Sequence, residues 1–166
     1  QFQIHIDKGD PDAQLILGER YMYGHSGLKK SAKRAVHWYQ LSAAQGYAHA
    51  QHRLGVCYEI GDGVKLDPKK AVRYYRLAAE QGYANSQYNL GVMYDQGKGV
   101  ARSRDDAIYW TKLAADQGYP TAQCNLGIIY EDGRGVPRDL DEALRLYKKA
   151  ADGGIQEAQE RVDDVE

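Results

Sequence analysis

The dipeptide Leu-Gly recurs along this chain at nearly constant intervals, and this periodicity constrains the fold more than any other feature. It occurs at Leu17-Gly18, Leu54-Gly55, Leu90-Gly91 and Leu126-Gly127, in steps of 37, 36 and 36 residues. A second marker ends in a glycine, and Gly46, Gly82, Gly118 and Gly154 are spaced 36 residues apart. Two independent markers that share one period predict an array of structural repeats.

Each repeat divides into two helices that are separated by a glycine turn. The first helix, helix A, is expected over stretches such as Ala48–Ile60 and Ala84–Gln96, and a Gly-x-Gly-Val turn such as 61–64 ends it. Glycine favours this position because a side chain is penalised in the left-handed conformation that ends many helices. The extra residue of the first repeat falls in this turn, where insertions are tolerated.

The second helix, helix B, begins after a residue that can cap it. The capping positions recur every 36 residues, at Ser31, Asp67, Ser103 and Asp139. A hydroxyl or carboxylate oxygen at this position accepts a hydrogen bond from a backbone N–H of the first turn. Asp106 and Glu142 lie three residues after their caps, and this spacing predicts a capping box in the last two repeats.

Helix B is expected to pack through small residues, with one larger residue in each repeat. The small residues are alanines at 35, 71, 107 and 143, and again at 43, 79, 115 and 151. The larger residues are Trp38, Tyr74, Trp110 and Leu146. Because they recur once in each repeat, we expect them to fill one recurring hole in the core and not to form a ligand cage.

The full pattern closely resembles Sel1-like repeats. It reads Ala-x-Ala-Gln-x-x-Leu-Gly-x-x-Tyr-x-x-Gly-x-Gly-Val, then a cap, Lys-Ala, an aromatic pair, Ala-Ala and Gln-Gly, and it covers residues 11–162. The resemblance implies an all-α fold, a right-handed α/α superhelical solenoid of about four and a half helix-turn-helix repeats. We expect a single domain, 1–166, with repeats at 11–46, 47–82, 83–118 and 119–154 and a partial repeat or capping helix at 155–166.

The resemblance also implies an adaptor or scaffold that binds a protein or peptide partner on the concave side, where helices A lie. The related tetratricopeptide helix places the partner-binding residues relative to each Leu-Gly pair. These residues are Leu15, Glu19, Met22, His49, His52, Val56, Glu59, Asn85, Tyr88, Val92, Asp95, Thr121, Cys124, Ile128 and Glu131.

Two groups within that set suggest more specific chemistry. Glu59, Asp95 and Glu131 share one register, and one hypothesis makes them an acidic track for Lys or Arg side chains of a partner. The alternative is that they are solvated or bonded to local backbone. His49 and His52 share a helix face, but a structural zinc site requires four ligands, so no metal and no cofactor is predicted.

Several classes of function are excluded by composition and motifs. The net charge of -1 provides no positive field for nucleic acid. No apolar run approaches the roughly 20 residues of a membrane span. The chain lacks a nucleophile motif and a phosphate-binding loop, and its Gly-x-Gly turns follow helices instead of strands. We therefore expect that it is not an enzyme.

The two cysteines, Cys57 and Cys124, are expected two repeats apart, beyond the reach of a disulfide. Cysteine-rich Sel1-type proteins, which are associated with β-lactam binding or hydrolysis, carry a cysteine pair in each repeat, so this chain does not resemble that subfamily. Two free thiols favour a reducing compartment such as the cytoplasm, while a bacterial envelope or secreted location stays open.

Two alternative functions remain open at this stage. The preferred interpretation is a monomeric scaffold that binds a partner protein. The two alternatives are a self-associating structural module of a larger assembly and a protein that binds a glycan or cell-wall fragment. Phe2, Ile4 and Ile6 alternate as apolar residues, and they either cover the first repeat or continue into residues outside this sequence. Because the chain begins with Gln1 and no leader, we expect a trimmed or mature fragment.

Overall fold

The computed structural model describes residues 5–6 and 8–165, and the regular secondary structure within them is helical. The helices are α1 (Pro11–Tyr23), α2 (Ala32–Ala44), α3 (Ala48–Ile60), α4 (Pro68–Glu80), α5 (Ala84–Gln96), α6 (Arg104–Asp116), α7 (Pro120–Asp132), α8 (Leu140–Asp152) and α9 (Gln156–Val165). The predicted bounds of helix A are confirmed by α3 and α5. The apolar residues Phe2 and Ile4 lie outside the described residues.

The chain divides into two compact units, unit 1 (Gln1–Ser86) and unit 2 (Gln87–Glu166). Unit 1 contains α1 to α4 and the first residues of α5. Unit 2 contains the rest of α5 and α6 to α9. Each unit has its own buried core, formed by facing helices A and B.

The predicted helix ends are confirmed. The backbone of Gly61 is left-handed, with φ of 74°, and its N–H donates to the Cys57 carbonyl. At the other end of the turn, Asp67 Oδ1 accepts from the N–H of Lys70 at 3.1 Å and caps α4. Side-chain caps in the same register begin α2, α6 and α8, at Ser31, Ser103 and Asp139.

The predicted capping box is wrong. In a capping box the third helical side chain would bond to the N–H of the cap. The N–H of Asp139 instead donates to the Tyr130 carbonyl at 3.0 Å, and Glu142 accepts from Arg145 at 2.7 Å. Equivalent backbone bonds join Ser31 to Tyr21, Asp67 to Tyr58 and Ser103 to Tyr94. The start of each helix B is therefore tied to the last turn of its own helix A.

The alanine positions of helix B lie in the core, as predicted. Alanines 35, 71, 107 and 143 are buried, as are 43, 79 and 115, and Ala151 is half-buried. The prediction that one large residue in each helix B fills the core is wrong in three of the four repeats. Trp38, Tyr74 and Trp110 are only half-buried, and Leu146 is the one member of that set that is buried. The fully buried ring belongs to the next residue, at Tyr39, Tyr75 and Tyr147.

These tyrosines explain the glycine of the Leu-Gly pair in three of the four repeats. A β-carbon built on Gly55 would lie 2.5 Å from Cδ1 of Tyr75, closer than real side-chain contacts allow. The same close approach joins Gly18 to Tyr39 and Gly127 to Tyr147, at 2.6 Å in both cases. Glycine is needed in helix A because the tyrosine ring of helix B occupies the space of a side chain.

A second recurring contact involves glutamine. Gln81 Nε2 donates to Gln51 Oε1 at 2.7 Å, and Gln51 Nε2 donates to the Ala43 carbonyl at 3.5 Å. Equivalent side-chain bonds join Gln45 to Gln14 and Gln117 to Gln87. Gln51 is buried, so these bonds satisfy polar atoms that burial would otherwise penalise. The glutamine of the Gln-Gly marker therefore has a structural role, since its side chain bonds to a glutamine of helix A.

The predicted C-terminal helix is α9, which packs within unit 2. Ala158 and Val162 of α9 are buried in a cluster with Cys124 and Tyr147. Arg161 forms an ion pair with Glu131 at 2.8 Å. The apolar face of α9 thus covers α7 and α8, and its outer side carries the exposed acidic residues Asp163 and Asp164.

Candidate functional site

The third repeat departs from the others at one core position, where Thr111 replaces the tyrosine of helix B. A cavity of about 470 Å³ lies at this position in unit 2, and we refer to it as the Thr111 cavity. It is lined by Tyr88, Gly91, Val92, Asp95, Gln96, Arg102, Arg104, Ala107, Ile108, Thr111, Asn125, Ile128, Ile129 and Arg134.

The Thr111 cavity is apolar at its base and charged at its rim. Gly91, Ala107 and Thr111 are buried and form the base. The half-buried aliphatic side chains are Val92, Ile108, Ile128 and Ile129, and the exposed charged residues are Asp95, Arg102, Arg104 and Arg134. This combination of apolar surface with a few polar groups is typical of ligand-binding sites.

Asp95 occupies the register that is acidic in two other repeats. In those repeats the carboxylate accepts a hydrogen bond from the core tyrosine: Tyr75 donates to Glu59 at 2.6 Å, and Tyr147 donates to Glu131. Thr111 cannot provide a phenolic hydroxyl. The Asp95 carboxylate has no hydrogen-bond or ion-pair partner among residues 5–6 and 8–165.

The arginines at the rim differ in their pairing. Arg134 binds Asp132, with Nε donating to Oδ2 at 2.7 Å. Within the described part of the chain, Arg102 and Arg104 have no ion-pair partner. The stem of Arg104 lies against Gly135, where a β-carbon would be 2.9 Å from Cδ of the arginine. The rim therefore carries more positive than negative charge.

The side of the cavity near α7 is held by a polar contact. Asn125 Nδ2 donates to the Tyr88 hydroxyl at 3.2 Å, and the Tyr88 ring lies 5.3 Å from that of Tyr119. These contacts set the orientation of a half-buried aromatic ring at the opening.

Four predicted site residues of unit 2 meet at this cavity, namely Tyr88, Val92, Asp95 and Ile128. Three others do not: Cys124 is buried in the core cluster with α9, Thr121 is half-buried outside the cavity, and Glu131 is bonded to Tyr147 and Arg161.

The predicted site residues of unit 1 are more scattered. Leu15 and Met22 are buried in the core of the unit. Glu19 pairs with Arg53 at 3.3 Å, and Val56 lines a smaller cavity of about 250 Å³ with Met22 and Arg53. Asn85 is exposed.

The two histidines are engaged within unit 1. His52 is buried, and its Nδ1 lies 2.9 Å from Oγ of Ser86. Burial lowers the pKa of His52 to about 4, so the ring is neutral near pH 7. The His49 ring stacks on Tyr83 at 5.5 Å, and burial lowers its pKa as well. Both contacts favour a packing role.

The acidic row stays a prediction, although its members have different environments. Glu59 and Glu131 accept hydrogen bonds from core tyrosines, which neither interpretation of the sequence included. Asp95 is exposed at the rim of the Thr111 cavity.

Thr111, Arg102, Arg104 and Ile108 are cavity residues that the sequence reasoning missed, because it considered only helix A. One signal was present in the sequence. The column 39, 75, 111, 147 reads Tyr, Tyr, Thr, Tyr, and the single exception marks the cavity.

The rest of the described structure offers little other chemistry. Both cysteines are free and buried, and burial raises the pKa of Cys57 to about 11 and raises that of Cys124. Over residues 5–6 and 8–165, no three His, Cys, Asp or Glu side chains are grouped so as to hold a metal ion. No helix in that part of the chain has the length and apolar character needed to cross a membrane.

Comparison with known proteins identifies the repeat. The model of the Sel1 repeat family matches four times, at residues 11–47, 48–83, 84–119 and 120–155. No curated protein matches the sequence.

Solved structures show the same fold. A protective antigen of uropathogenic Escherichia coli strains, described as displaying an SLR fold, is 39% identical with a TM-score of 0.90, over 95% of this chain and 34% of that chain. A Sel1 repeat protein from Oxalobacter formigenes is 36% identical with a TM-score of 0.87, over 95% of this chain and 64% of that chain. Helicobacter pylori cysteine rich protein B is 22% identical with a TM-score of 0.58, over 73% of this chain and 91% of that chain. At this identity the likeness shows a shared fold and nothing more.

This chain therefore spans about a third of the first of these proteins and less than two thirds of the second. The predicted all-α superhelical repeat fold is confirmed.

Proposed function

Because this chain belongs to the Sel1 repeat family, whose members are generally protein-interaction scaffolds, we propose that it binds a segment of a partner protein and performs no catalysis. The Thr111 cavity is the centre of the proposed binding surface. One observation carries this proposal: Tyr88, Val92, Asp95 and Ile128, expected to face a partner from the register of the repeat, line one cavity together with the arginines of the rim.

The chemistry of the cavity favours a peptide segment as the ligand. Its aliphatic walls suit an apolar side chain, and burying one contributes about 1.5–3 kcal/mol. The exposed carboxylate and guanidinium groups at the rim suit the polar atoms and charges of a peptide backbone and its neighbouring side chains. Interfaces with this anatomy concentrate their binding energy in a few anchors.

A non-catalytic role is supported by the protonation of the two cysteine thiols, Cys57 and Cys124. The thiolate is the reactive form of cysteine, and the raised pKa of both thiols keeps them protonated near neutral pH. His49 and His52, the histidines of unit 1 with lowered pKa values, are engaged with Tyr83 and Ser86 respectively.

The test is selection of linear peptides from a random display library on the immobilised protein. Selected peptides are then measured against Ile128→Arg, which places a charge in the cavity wall, and against the control Leu140→Arg, which changes an exposed side chain outside the cavity. We expect unchanged binding to the control and at least about tenfold weaker binding to Ile128→Arg, or 1.4 kcal/mol. Equal binding to both folded variants would place the binding surface elsewhere.

A further inference from the structure

Three of the four repeats fill one core position with their own tyrosine, and the third leaves it open. The rings of Tyr39, Tyr75 and Tyr147 lie against the glycine of their Leu-Gly pair, at 2.5–2.6 Å from the site of a β-carbon. In the third repeat Gly91 is retained, but it faces the hydroxyl of Thr111. Because threonine is much smaller than tyrosine, the space of a phenol ring is left within the Thr111 cavity.

The same repeat also retains half of a hydrogen-bonded pair. Glu59 and Glu131 accept from the hydroxyls of Tyr75 and Tyr147. Asp95 holds that register, exposed and without a partner in the described chain. An acceptor and a cavity therefore lie together where two other repeats place a tyrosine hydroxyl and its ring.

We propose that the Thr111 cavity receives a tyrosine side chain from an acidic peptide segment of the partner, an inference that rests on the proposed function. The ring lies against Gly91 between the aliphatic walls, and the phenolic hydroxyl donates to the Asp95 carboxylate. The partner thus supplies the contact that the other repeats make internally.

The dimensions and the charges of the site fit this occupant. The cavity volume of about 470 Å³ lies within the range of roughly 300–1,000 Å³ that is typical of ligand sites. Arg102 and Arg104 lie at the rim without ion-pair partners, so acidic residues that flank the tyrosine gain charge-assisted hydrogen bonds there. The excess of positive charge at the rim also steers an acidic segment toward the opening.

A second copy of this chain fits less well. Its exposed tyrosines are Tyr23 and Tyr109, at 52% and 56% exposure. The residues next to them in the sequence are Met22 and Gly24, and Ile108 and Trp110, so neither tyrosine has an acidic neighbour to match the arginines.

The test uses three synthetic tripeptides with blocked ends, Asp-Tyr-Asp, Asp-Phe-Asp and Asp-Ala-Asp, titrated into the whole chain and followed by backbone amide chemical shifts. We expect the tyrosine peptide to shift the amides of Gly91, Asp95 and Thr111. The phenylalanine peptide should bind about tenfold more weakly, since it lacks one hydrogen bond to a charged group, and the alanine peptide weaker still. Equal affinity of all three peptides would overturn the proposal.

Two variants make the test specific. Thr111→Tyr refills the cavity with an internal ring and should abolish binding, whereas Lys112→Tyr makes the same change at the next, exposed residue of α6 and should not affect it. Asp95→Asn, at an exposed position, should reduce the preference for the tyrosine peptide over the phenylalanine peptide, because the loss of the negative charge affects both acidic peptides alike and only the tyrosine peptide loses its hydrogen bond to a carboxylate. Undiminished binding of the tyrosine peptide to folded Thr111→Tyr would contradict the proposal.

The library-selected peptides separate this inference from the proposed function. Suppose that the selected peptides bind Ile128→Arg less well than the wild type, but contain no tyrosine and bind Thr111→Tyr as well as the wild type. The peptide-binding function then stands and the tyrosine pocket is wrong. If their affinity for both variants equals that for the wild type, both proposals are wrong. Self-association that Thr111→Tyr abolishes in the absence of peptide would overturn the partner peptide in favour of a second copy.

Discussion

The ring of Tyr147 lies against Gly127, so that a β-carbon on this glycine would be 2.6 Å from Cε1 of the tyrosine. The hydroxyl of the same residue donates to Glu131. One side chain of helix B thus requires a glycine in helix A and also pairs with the carboxylate at its end. Where that side chain changes to Thr111, the hydrogen bond to the carboxylate is lost and the cavity opens, while a β-carbon on Gly91 would still lie 2.8 Å from the Thr111 hydroxyl.

The first prediction concerns the glycine. Gly127→Ala should lower the free energy of unfolding by about 1–3 kcal/mol, because the new methyl group forces the buried Tyr147 ring to move. Gly91→Ala should cost less, since its nearest contact is the small Thr111 side chain at 2.8 Å. Urea denaturation of both variants measures the difference. If Gly91→Ala cost as much as Gly127→Ala or more, the tyrosine ring would not be what requires glycine at this position.

Two tyrosine hydroxyls should respond in opposite ways to removal. Tyr147→Phe removes a hydrogen bond to Glu131 and should cost about 1 kcal/mol, since that carboxylate is partly exposed. Tyr39→Phe should be neutral or stabilising, because the buried Tyr39 hydroxyl makes no hydrogen bond of normal geometry among the described residues, and Arg53, whose guanidinium lies 5.8 Å from the centre of the ring, keeps that contact with phenylalanine. Burial also raises the pKa of Tyr39 to about 12. Thermal and urea unfolding of the two variants provide the comparison. A large loss of stability in Tyr39→Phe would show that the Tyr39 hydroxyl has a hydrogen-bond partner.

Filling the cavity should stabilise the fold while it blocks the site. Thr111→Tyr is expected to raise the free energy of unfolding by about 1–3 kcal/mol, the typical gain from burying an apolar side chain. The reverse change, Tyr147→Thr, creates an empty space and should cost about 3–5 kcal/mol. Chemical denaturation measures both effects. A destabilised Thr111→Tyr would mean that the cavity does not have the shape of the tyrosine site in the other repeats.

Protonation of His52 should weaken the fold at acid pH. The pKa of this buried histidine is lowered from 6.5 to about 4, so the unfolded state binds more protons between these values. Stability from this residue is complete above pH 6.5 and is lost as the pH falls towards 4, by roughly 2–3 kcal/mol at about 1.36 kcal/mol per pKa unit.

The control is His52→Gln, which keeps a polar group near Ser86 and does not titrate. Urea denaturation at pH 7 and pH 4.5 should show a smaller loss of stability in this variant than in the wild type. Equal losses would assign the acid sensitivity to other groups.

Helix bounds and caps could be predicted from the sequence because each depends on local chemistry that every copy repeats. The αL glycine at Gly61 and the side-chain cap at Asp67 follow from backbone preferences of single residues. The capping box at Asp139 failed for a non-local reason, since its N–H is taken by the Tyr130 carbonyl of the preceding helix.

The core-facing residue of helix B and the site depended on packing between helices. The aromatic pairs, such as Trp38 and Tyr39, leave the phase of the helix ambiguous, and only contact with the glycine of helix A distinguishes the buried ring from the half-buried one. The cavity could not be predicted from helix A alone, because its base is formed by Thr111 and its charged rim by Arg102 and Arg104. The interruption of the tyrosine column was the only sequence signal.

A crystal structure of the chain bound to a library-selected peptide would locate the binding surface at atomic resolution. We expect a peptide side chain inside the Thr111 cavity, against Gly91 and between Val92 and Ile128, with flanking groups on the arginines of the rim. A selected peptide bound at any other surface, with the Thr111 cavity empty, would contradict it.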